Sequence, residues 1–179
     1  ENTPESHVAI SETTAYYITD LLQGVINSGT ATSAQLSSGM AAAGKTGASD
    51  GWKDRWFVGY TPYYVAAVWS GYETPEYMGS SNPSTILWNK VMERIHEKYE
   101  PTEFPIPDGM QRVSVCVDSG MLATDACSRD VRGSRVMTLY MEESAIPYSS
   151  CPCHTLVEVC SESYGYLSED CPPSCKTKM

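Results

Sequence analysis

Apolar residues recur at helical spacing at Ala15, Ile18, Leu22 and Val25, which predicts a helix near the start of the chain. Ser11 can cap it, with Glu12 in its positive first turn, and Asn27-Ser28-Gly29 ends it. The pattern then shortens. Small residues, Ala41-Ala42-Ala43-Gly44, run into Lys45-Thr46-Gly47-Ala48-Ser49, which reads as a strand with Lys45 on one face and Thr46 on the other. Ser49-Asp50-Gly51 is turn chemistry. Trp56, Val58 and Tyr60 alternate with Phe57 and Gly59 as a strand would, and Thr61-Pro62 closes a second hairpin. Tyr64 to Tyr72 is nearly continuous in apolar residues, the pattern of a strand covered on both faces. Three strands joined by tight turns predict an antiparallel meander with Lys45 near its accessible edge.

Asn82-Pro83 is a helix start, and Trp88, Val91, Met92, Ile95 and Tyr99 place one helical face on the sheet. His96 lies off that stripe and reads as a solvated helix residue beside the charged outer face of Glu93, Arg94, Glu97 and Lys98. From Glu100 to Gly109 three prolines, Pro101, Pro105 and Pro107, mark a semi-rigid linker. The expected organisation is therefore residues 1–100, a linker at 101–110, and a different region at 111–179. In that last region Val113, Val115 and Val117 suggest a short strand, Asp118-Ser119-Gly120 a turn, and Val136 to Met141 another strand. The remainder is rich in Cys, Ser, Pro and Glu and is too poor in apolar residues to fold on core burial alone.

A net charge of −10 excludes nucleic acid as a partner, because no basic stripe exists to displace counterions from phosphates. No apolar run approaches the ~20 residues that span a bilayer, and no signal peptide is visible. The opening, Glu1-Asn2-Thr3-Pro4, reads as mid-protein sequence, so any membrane anchor is expected upstream. All seven cysteines lie at or beyond Cys116. In a reducing compartment they would suggest metal ligands, and outside the membrane disulfides. Lys45-Thr46-Gly47 is the stretch with chemistry to offer. Its strand edge could pair with an extended peptide, Gly47 would let that backbone approach, and the peptide carboxylate would meet an ammonium and hydroxyls.

Lys45-Thr46-Gly47, a short turn, Trp56-Phe57-Val58-Gly59-Tyr60-Thr61-Pro62, and a strand ending in Gly71-Tyr72 together resemble the transpeptidase domain of class A, bifunctional penicillin-binding proteins. Val25-Ile26-Asn27-Ser28-Gly29-Thr30-Ala31 resembles the helix end that precedes this strand in the family. Val115-Cys116-Val117-Asp118-Ser119-Gly120-Met121-Leu122-Ala123-Thr124, then Cys127, Pro147, Cys151 and His154, is similar to the C-terminal tail of many Gram-positive members. The resemblance spans residues 10–154. It implies an α+β fold, an antiparallel sheet flanked by helices of the penicillin-binding protein and serine β-lactamase kind, here partial, followed by a small disulfide-rich β tail.

The resemblance further implies part of a peptidoglycan D,D-transpeptidase that cross-links stem peptides by serine acyl transfer and is acylated by β-lactams. Its place would be the outer face of the cytoplasmic membrane. The family's nucleophile motif, Ser-x-x-Lys, occurs nowhere here, since no lysine has serine three residues before it. Ser80-Ser81-Asn82 spells Ser-x-Asn, but it follows Lys45 where the family's precedes it, and it reads as a helix cap. Both motifs would be supplied upstream, and the chain alone would be inactive. Carried over residue by residue, Lys45 would attract the substrate carboxylate, Thr46 would support that network and Gly47 would admit the acyl chain. The N–H of Ala48 would be an oxyanion donor. Family members usually carry Thr or Ser at the position of Ala48, and Ser49 is the candidate replacement for that hydroxyl. Trp52 and Trp56 are candidates to line the groove, with Trp56 reading more readily as core and Trp52 as a loop residue over the site.

Cys151-Pro152-Cys153-His154 invites a zinc reading with Cys160, Cys171 or Cys175, but no paired C-x-x-C units support it. The extracellular address implied by the resemblance favours disulfides, with Cys127–Cys151 the preferred pair and Cys160 bonded to Cys171 or Cys175. Seven is odd, so at least one thiol is left free, metal-bound or intermolecular. No metal ligand and no cofactor is assigned. Two other readings are a non-catalytic cell-wall or partner-binding module with a Cys-rich tail, and a serine β-lactamase fragment. Trp56 to Pro62 and the tail argue against the second.

Overall fold

The computed structural model describes residues 7–178 apart from 164, 168 and 170. The chain divides into two compact units, Glu1–Pro107 and Asp108–Met179. The first has an α+β architecture of helices on an antiparallel sheet. Helix α1 (Glu12–Asn27) starts where the Ser11 hydroxyl accepts the Thr14 N–H, and it ends where the Ser28 N–H returns to the Gly24 carbonyl. Strands β1 (Ala43–Ala48), β2 (Asp54–Tyr60) and β3 (Val65–Gly71) follow, paired antiparallel in the order β1-β2-β3, so β1 is an edge.

Period-two burial is clearest in β2, where Arg55, Phe57 and Gly59 are buried and Trp56 and Val58 are not. Phe57 packs edge-on against Trp88 with ring centroids 5.1 Å apart, among Ile26, Ala34, Leu36, Met40 and Met92. This contact needs two glycines facing each other across the strand pair, Gly44 and Gly59. A Cβ on Gly44 would lie 2.9 Å from the Gly59 Cα, and one on Gly59 would lie 2.9 Å from the Trp88 ring. The missing side chain on Gly59 lets Trp88 reach the sheet and donate its indole N–H to the Gly59 carbonyl at 3.3 Å, and the missing one on Gly44 leaves room for the Phe57 ring.

Helix α2 (Pro83–His96) begins at Asn82, whose side chain accepts the Ser84 N–H. Its buried face is Ser84, Thr85, Trp88, Met92 and His96, rather than the stripe through Val91, Ile95 and Tyr99 that the sequence suggests; those three are exposed. The solvated reading of His96 is likewise corrected, because its side chain is buried. Its Nδ1 lies 2.8 Å from the Met92 carbonyl and its Nε2 lies 2.9 Å from Thr61 Oγ1. The carbonyl assigns the proton to Nδ1, so Nε2 accepts from the Thr61 hydroxyl. That hydroxyl accepts in turn from the Tyr63 and Tyr64 N–H groups, and His96 thereby closes the turn between β2 and β3. Two further expectations are corrected. Strand β3 is covered on one face only, with Ala66 and Val68 packed on the core and Val65 and Trp69 exposed. Trp56 is not core, because it lies on the face of β2 opposite Phe57 and is 45% exposed.

In the second unit β4 (Met110–Cys116) pairs antiparallel with β5 (Val136–Glu142). A single helical turn, α3 (Asp125–Ser128), and a small pair, β6 (Glu158–Cys160) with β7 (Lys176–Lys178), complete it. Its buried centre is Cys116, Cys127 and Cys151, with Ala123 and Val136 packed against them. All seven cysteines carry free thiols, so the Cys127–Cys151 bridge and the disulfide-rich character suggested by the sequence are not what the structure contains. The physical reason is that Cys127 and Cys151 do not form an isolated pair. They meet in a four-residue cluster with Cys116 and His154.

Candidate functional site

The open edge of β1 borders a hollow of about 600 Å³. Lys45, Thr46, Gly47 and Ala48 line it from the strand, Trp52 and Arg55 from the turn and β2, Ser80, Ser81 and Asn82 from the approach to α2, and Thr85 from its first turn. Thr30 and Ser33, which follow α1, complete its wall. Lys45 is exposed and its ammonium donates to the Thr46 carbonyl at 3.1 Å. The Thr46 hydroxyl lies 3.2 Å from that of Thr30. Gly47 faces Trp56 across the strand pair, and a Cβ on it would sit 3.2 Å from the Trp56 Cβ.

Five of the sequence-suggested residues, Lys45, Thr46, Gly47, Ala48 and Trp52, thus border one hollow. Ser49 does not. Its hydroxyl accepts the Asp54 N–H and lies 2.9 Å from the Asp54 carboxylate, closing the turn instead. Trp52 is the one non-glycine with positive φ (54°) among the described residues. Its ring stacks on Tyr77 at 6.0 Å, with the Arg55 guanidinium 4.3 Å above it. Backbone strain of this kind persists where surrounding contacts over-determine it.

Sequence reasoning did not single out Arg55, Thr30, Ser33 or Thr85. Arg55 is 7% exposed and donates to the Gly79 carbonyl, yet its Nε is buried without a hydrogen-bond partner. The Thr85 hydroxyl, at the same hollow, is likewise buried and unpartnered. Arg55 and Lys45 make the hollow cationic in a chain of net charge −10, and unpartnered donors of this kind suit an anionic ligand.

The second unit holds a different grouping. One ligand atom each from Cys116, Cys127, Cys151 and His154 lies within 4.8 Å of the others. His154 Nδ1 is 3.4 Å from Cys116 Sγ and 3.3 Å from Cys151 Sγ. Its Nε2 lies 3.2 Å from Asp118 and 3.0 Å from Asp130, which Arg132 and Arg135 hold in ion pairs. A hydrogen bond with the Ser119 side chain, helped by one with His154, draws the Cys151 thiol down to about 5 against the opposing effect of burial. Burial pushes Cys116 up, but hydrogen bonds with the Ser119 and Asp118 backbone prevail and lower it. The Arg135 and Arg132 guanidiniums hold Asp118 below the usual carboxylate range. A separate trio, Cys160, Cys171 and Cys175, also converges within 4.8 Å.

Helices on an antiparallel meander whose edge strand carries Lys45-Thr46-Gly47 set the fold class, and comparison with known proteins gives the family. The model of the penicillin-binding protein transpeptidase domain matches residues 1–93, and that of the penicillin-binding protein 1A C-terminal domain matches residues 106–156. The chain belongs to the penicillin-binding protein transpeptidase family. It is 36% identical over 160 residues to penicillin-binding protein 1A of Clostridium perfringens, covering 88% of this chain and 19% of that protein. With penicillin-binding protein 1A of Clostridium novyi it shares 34% identity over 180 residues, covering 99% of this chain and 21% of that protein. The chain therefore spans about a fifth of the length of these curated relatives. The crystal structure of penicillin-binding protein 1A from Haemophilus influenzae matches with a TM-score of 0.59 at 18% identity, covering 79% of this chain and 22% of that one, a likeness of fold.

Proposed function

We propose that this chain supplies the Lys-Thr-Gly strand of a peptidoglycan D,D-transpeptidase, while the nucleophilic serine and the Ser-x-Asn motif come from upstream sequence of the same protein. The observation that carries this reading is the hollow along the open β1 edge, bordered together by Lys45, Thr46, Gly47 and Ala48 and made cationic by Lys45 and Arg55. In this reading the stem peptide lies along β1 and its terminal carboxylate faces the Lys45 ammonium. The upstream serine attacks the D-Ala-D-Ala carbonyl, and the developing oxyanion is held by the Ala48 N–H. The peptide C–N bond breaks and D-Ala leaves with the proton. An amine on a neighbouring strand then takes the acyl group and frees the serine. A β-lactam presents the same carboxylate and carbonyl and acylates the same serine.

The proposed address is the outer face of the cytoplasmic membrane, with an anchor upstream. No helix among the described residues is long and apolar enough to cross a membrane. The test is intact mass after incubation with labelled penicillin, on the 179-residue chain and on a version extended upstream. Label on the extended protein alone supports the reading. Label on the short chain, which holds no Ser-x-x-Lys motif, overturns it.

A further inference from the structure

We propose that the second unit is built around a structural metal site in which Cys116, Cys127 and Cys151 supply Sγ and His154 supplies Nδ1 to one tetrahedral, zinc-type ion. The four ligands come from separate places in the fold: the end of β4, the helical turn α3, and a loop that brings in Cys151 and His154. Zinc binds thiolate at ~2.3 Å and imidazole at ~2.0–2.1 Å, which places tetrahedral ligands ~3.5–3.8 Å from one another. The His154 Nδ1 to sulfur separations of 3.4 and 3.3 Å are close to that size, and all four ligand atoms lie within 4.8 Å of one another. A disulfide joins two sulfurs at ~2.05 Å and leaves a third without purpose. Here three thiols and an imidazole converge on one point.

The histidine carries the strongest support. Its Nε2 lies 3.2 and 3.0 Å from the carboxylates of Asp118 and Asp130, so that nitrogen holds a proton, and Nδ1, which faces the sulfurs, is the nitrogen left for an ion set among them. A carboxylate behind the far nitrogen is the arrangement that orients a metal-bound imidazole. Arg132 and Arg135 fix the carboxylates from the other side. The sulfurs also accept backbone N–H groups that hold them in place, Thr124 on Cys127 at 3.3 Å and Cys153 on Cys151 at 3.4 Å.

Burial points the same way. Cys116 and Cys127 are fully buried and Cys151 and the His154 side chain nearly so, in a unit whose other buried apolar residues are few. A unit of this size with so small a core needs a staple, and a bound ion supplies folding free energy directly. Four protein ligands close the coordination shell and leave no position for substrate, which makes the site structural. Three thiolates and one imidazole select a soft, tetrahedral ion over magnesium or calcium. The ligand spacing lacks a C-x-x-C unit, and the sequence draws the eye to Cys151-Pro152-Cys153-His154 with Cys160, Cys171 or Cys175 rather than to Cys116 and Cys127.

The test uses the whole chain, purified from zinc-supplemented cells in reducing buffer without chelator. Bound metal per chain is measured by mass spectrometry of the elements, and the cobalt-exchanged protein is examined by absorption. The chain is expected to hold one equivalent more than His154→Ala and Cys116→Ser, and Cys153→Ser, an exposed neighbour outside the cluster, is expected to keep that equivalent. Cobalt is expected to show tetrahedral ligand-field bands and thiolate charge transfer that Cys116→Ser loses. The difference between variants isolates this site from any ion held by Cys160, Cys171 and Cys175. If the ligand variants do not fold, Asp118→Asn keeps all four ligands and is expected to weaken zinc ~10–100-fold in a competition with a chromogenic chelator. Equal metal in parent and ligand variants, or a Cys127–Cys151 disulfide in the peptide map of the purified parent, overturns the proposal.

Discussion

Lys45 and Ala48 stand three positions apart on one strand edge and have opposite expected effects on ligand capture. Lys45 is proposed to bring the charge that a substrate or β-lactam carboxylate needs, and Arg55, buried at the same hollow with an unpartnered Nε, adds a second. In the upstream-extended protein Lys45→Ala is expected to slow acylation by labelled penicillin ~10²-fold or more, the scale of losing one charged donor in a preorganised site. Unchanged acylation would remove Lys45 from the site. Ala48→Thr restores a hydroxyl where the family usually has one, and it is expected to tighten initial penicillin capture ~10-fold, the worth of one hydrogen bond to a charged group. At this scale the chemistry of the tripeptide is local, an ammonium, a hydroxyl and a missing Cβ in a row, and the fold sets all three residues beside one hollow. Ser49 was misread because its hydroxyl is spent on Asp54, a partner five residues on that strand alternation does not reveal. Arg55 was invisible because only the fold shows that it is buried beside the hollow.

Helices α1 and α2 were legible from their caps, Ser11 and Asn82-Pro83, and the meander from its turns. The faces of β3 and α2 were not. A run of apolar residues from Tyr64 to Tyr72 looks the same whether one side or two are covered, and nothing local says that Val65 and Trp69 stay exposed. The α2 stripe was displaced because Trp88, Met92 and His96 at four-residue spacing bury a histidine that satisfies both ring nitrogens. His96→Leu is expected to cost ~1–3 kcal/mol by stranding the Thr61 hydroxyl, read as a lower urea midpoint for the first unit. A midpoint within error of the parent would mean that the imidazole contributes nothing to closing that turn. Gly59→Ala is expected to cost ~1–3 kcal/mol, because the new methyl meets the Trp88 ring. A neutral result would show that Trp88 retracts freely.

At the scale of the whole molecule the chain holds two units with different means of stabilisation. The first buries aromatic and aliphatic side chains, and the second buries cysteines. A strong zinc chelator is expected to abolish or sharply lower a thermal transition assigned to Asp108–Met179 while leaving that of Glu1–Pro107 in place. Tryptophan fluorescence separates the two, since all four tryptophans precede Pro107. A chelator that moves neither transition would leave the second unit without the staple assigned to it. The change of composition after the prolines at 101, 105 and 107 was readable, whereas the ligand set was not, because Cys116, Cys127 and Cys151 are brought together only by strand pairing and loop closure. The most direct test of the transpeptidase reading is a crystal structure of the upstream-extended protein acylated by a penicillin. The expected result is a drug carboxylate within hydrogen-bond distance of Lys45 Nζ and an ester carbonyl oxygen on the Ala48 N–H. Drug bound away from the β1 edge, or on a serine of residues 1–179, would contradict it.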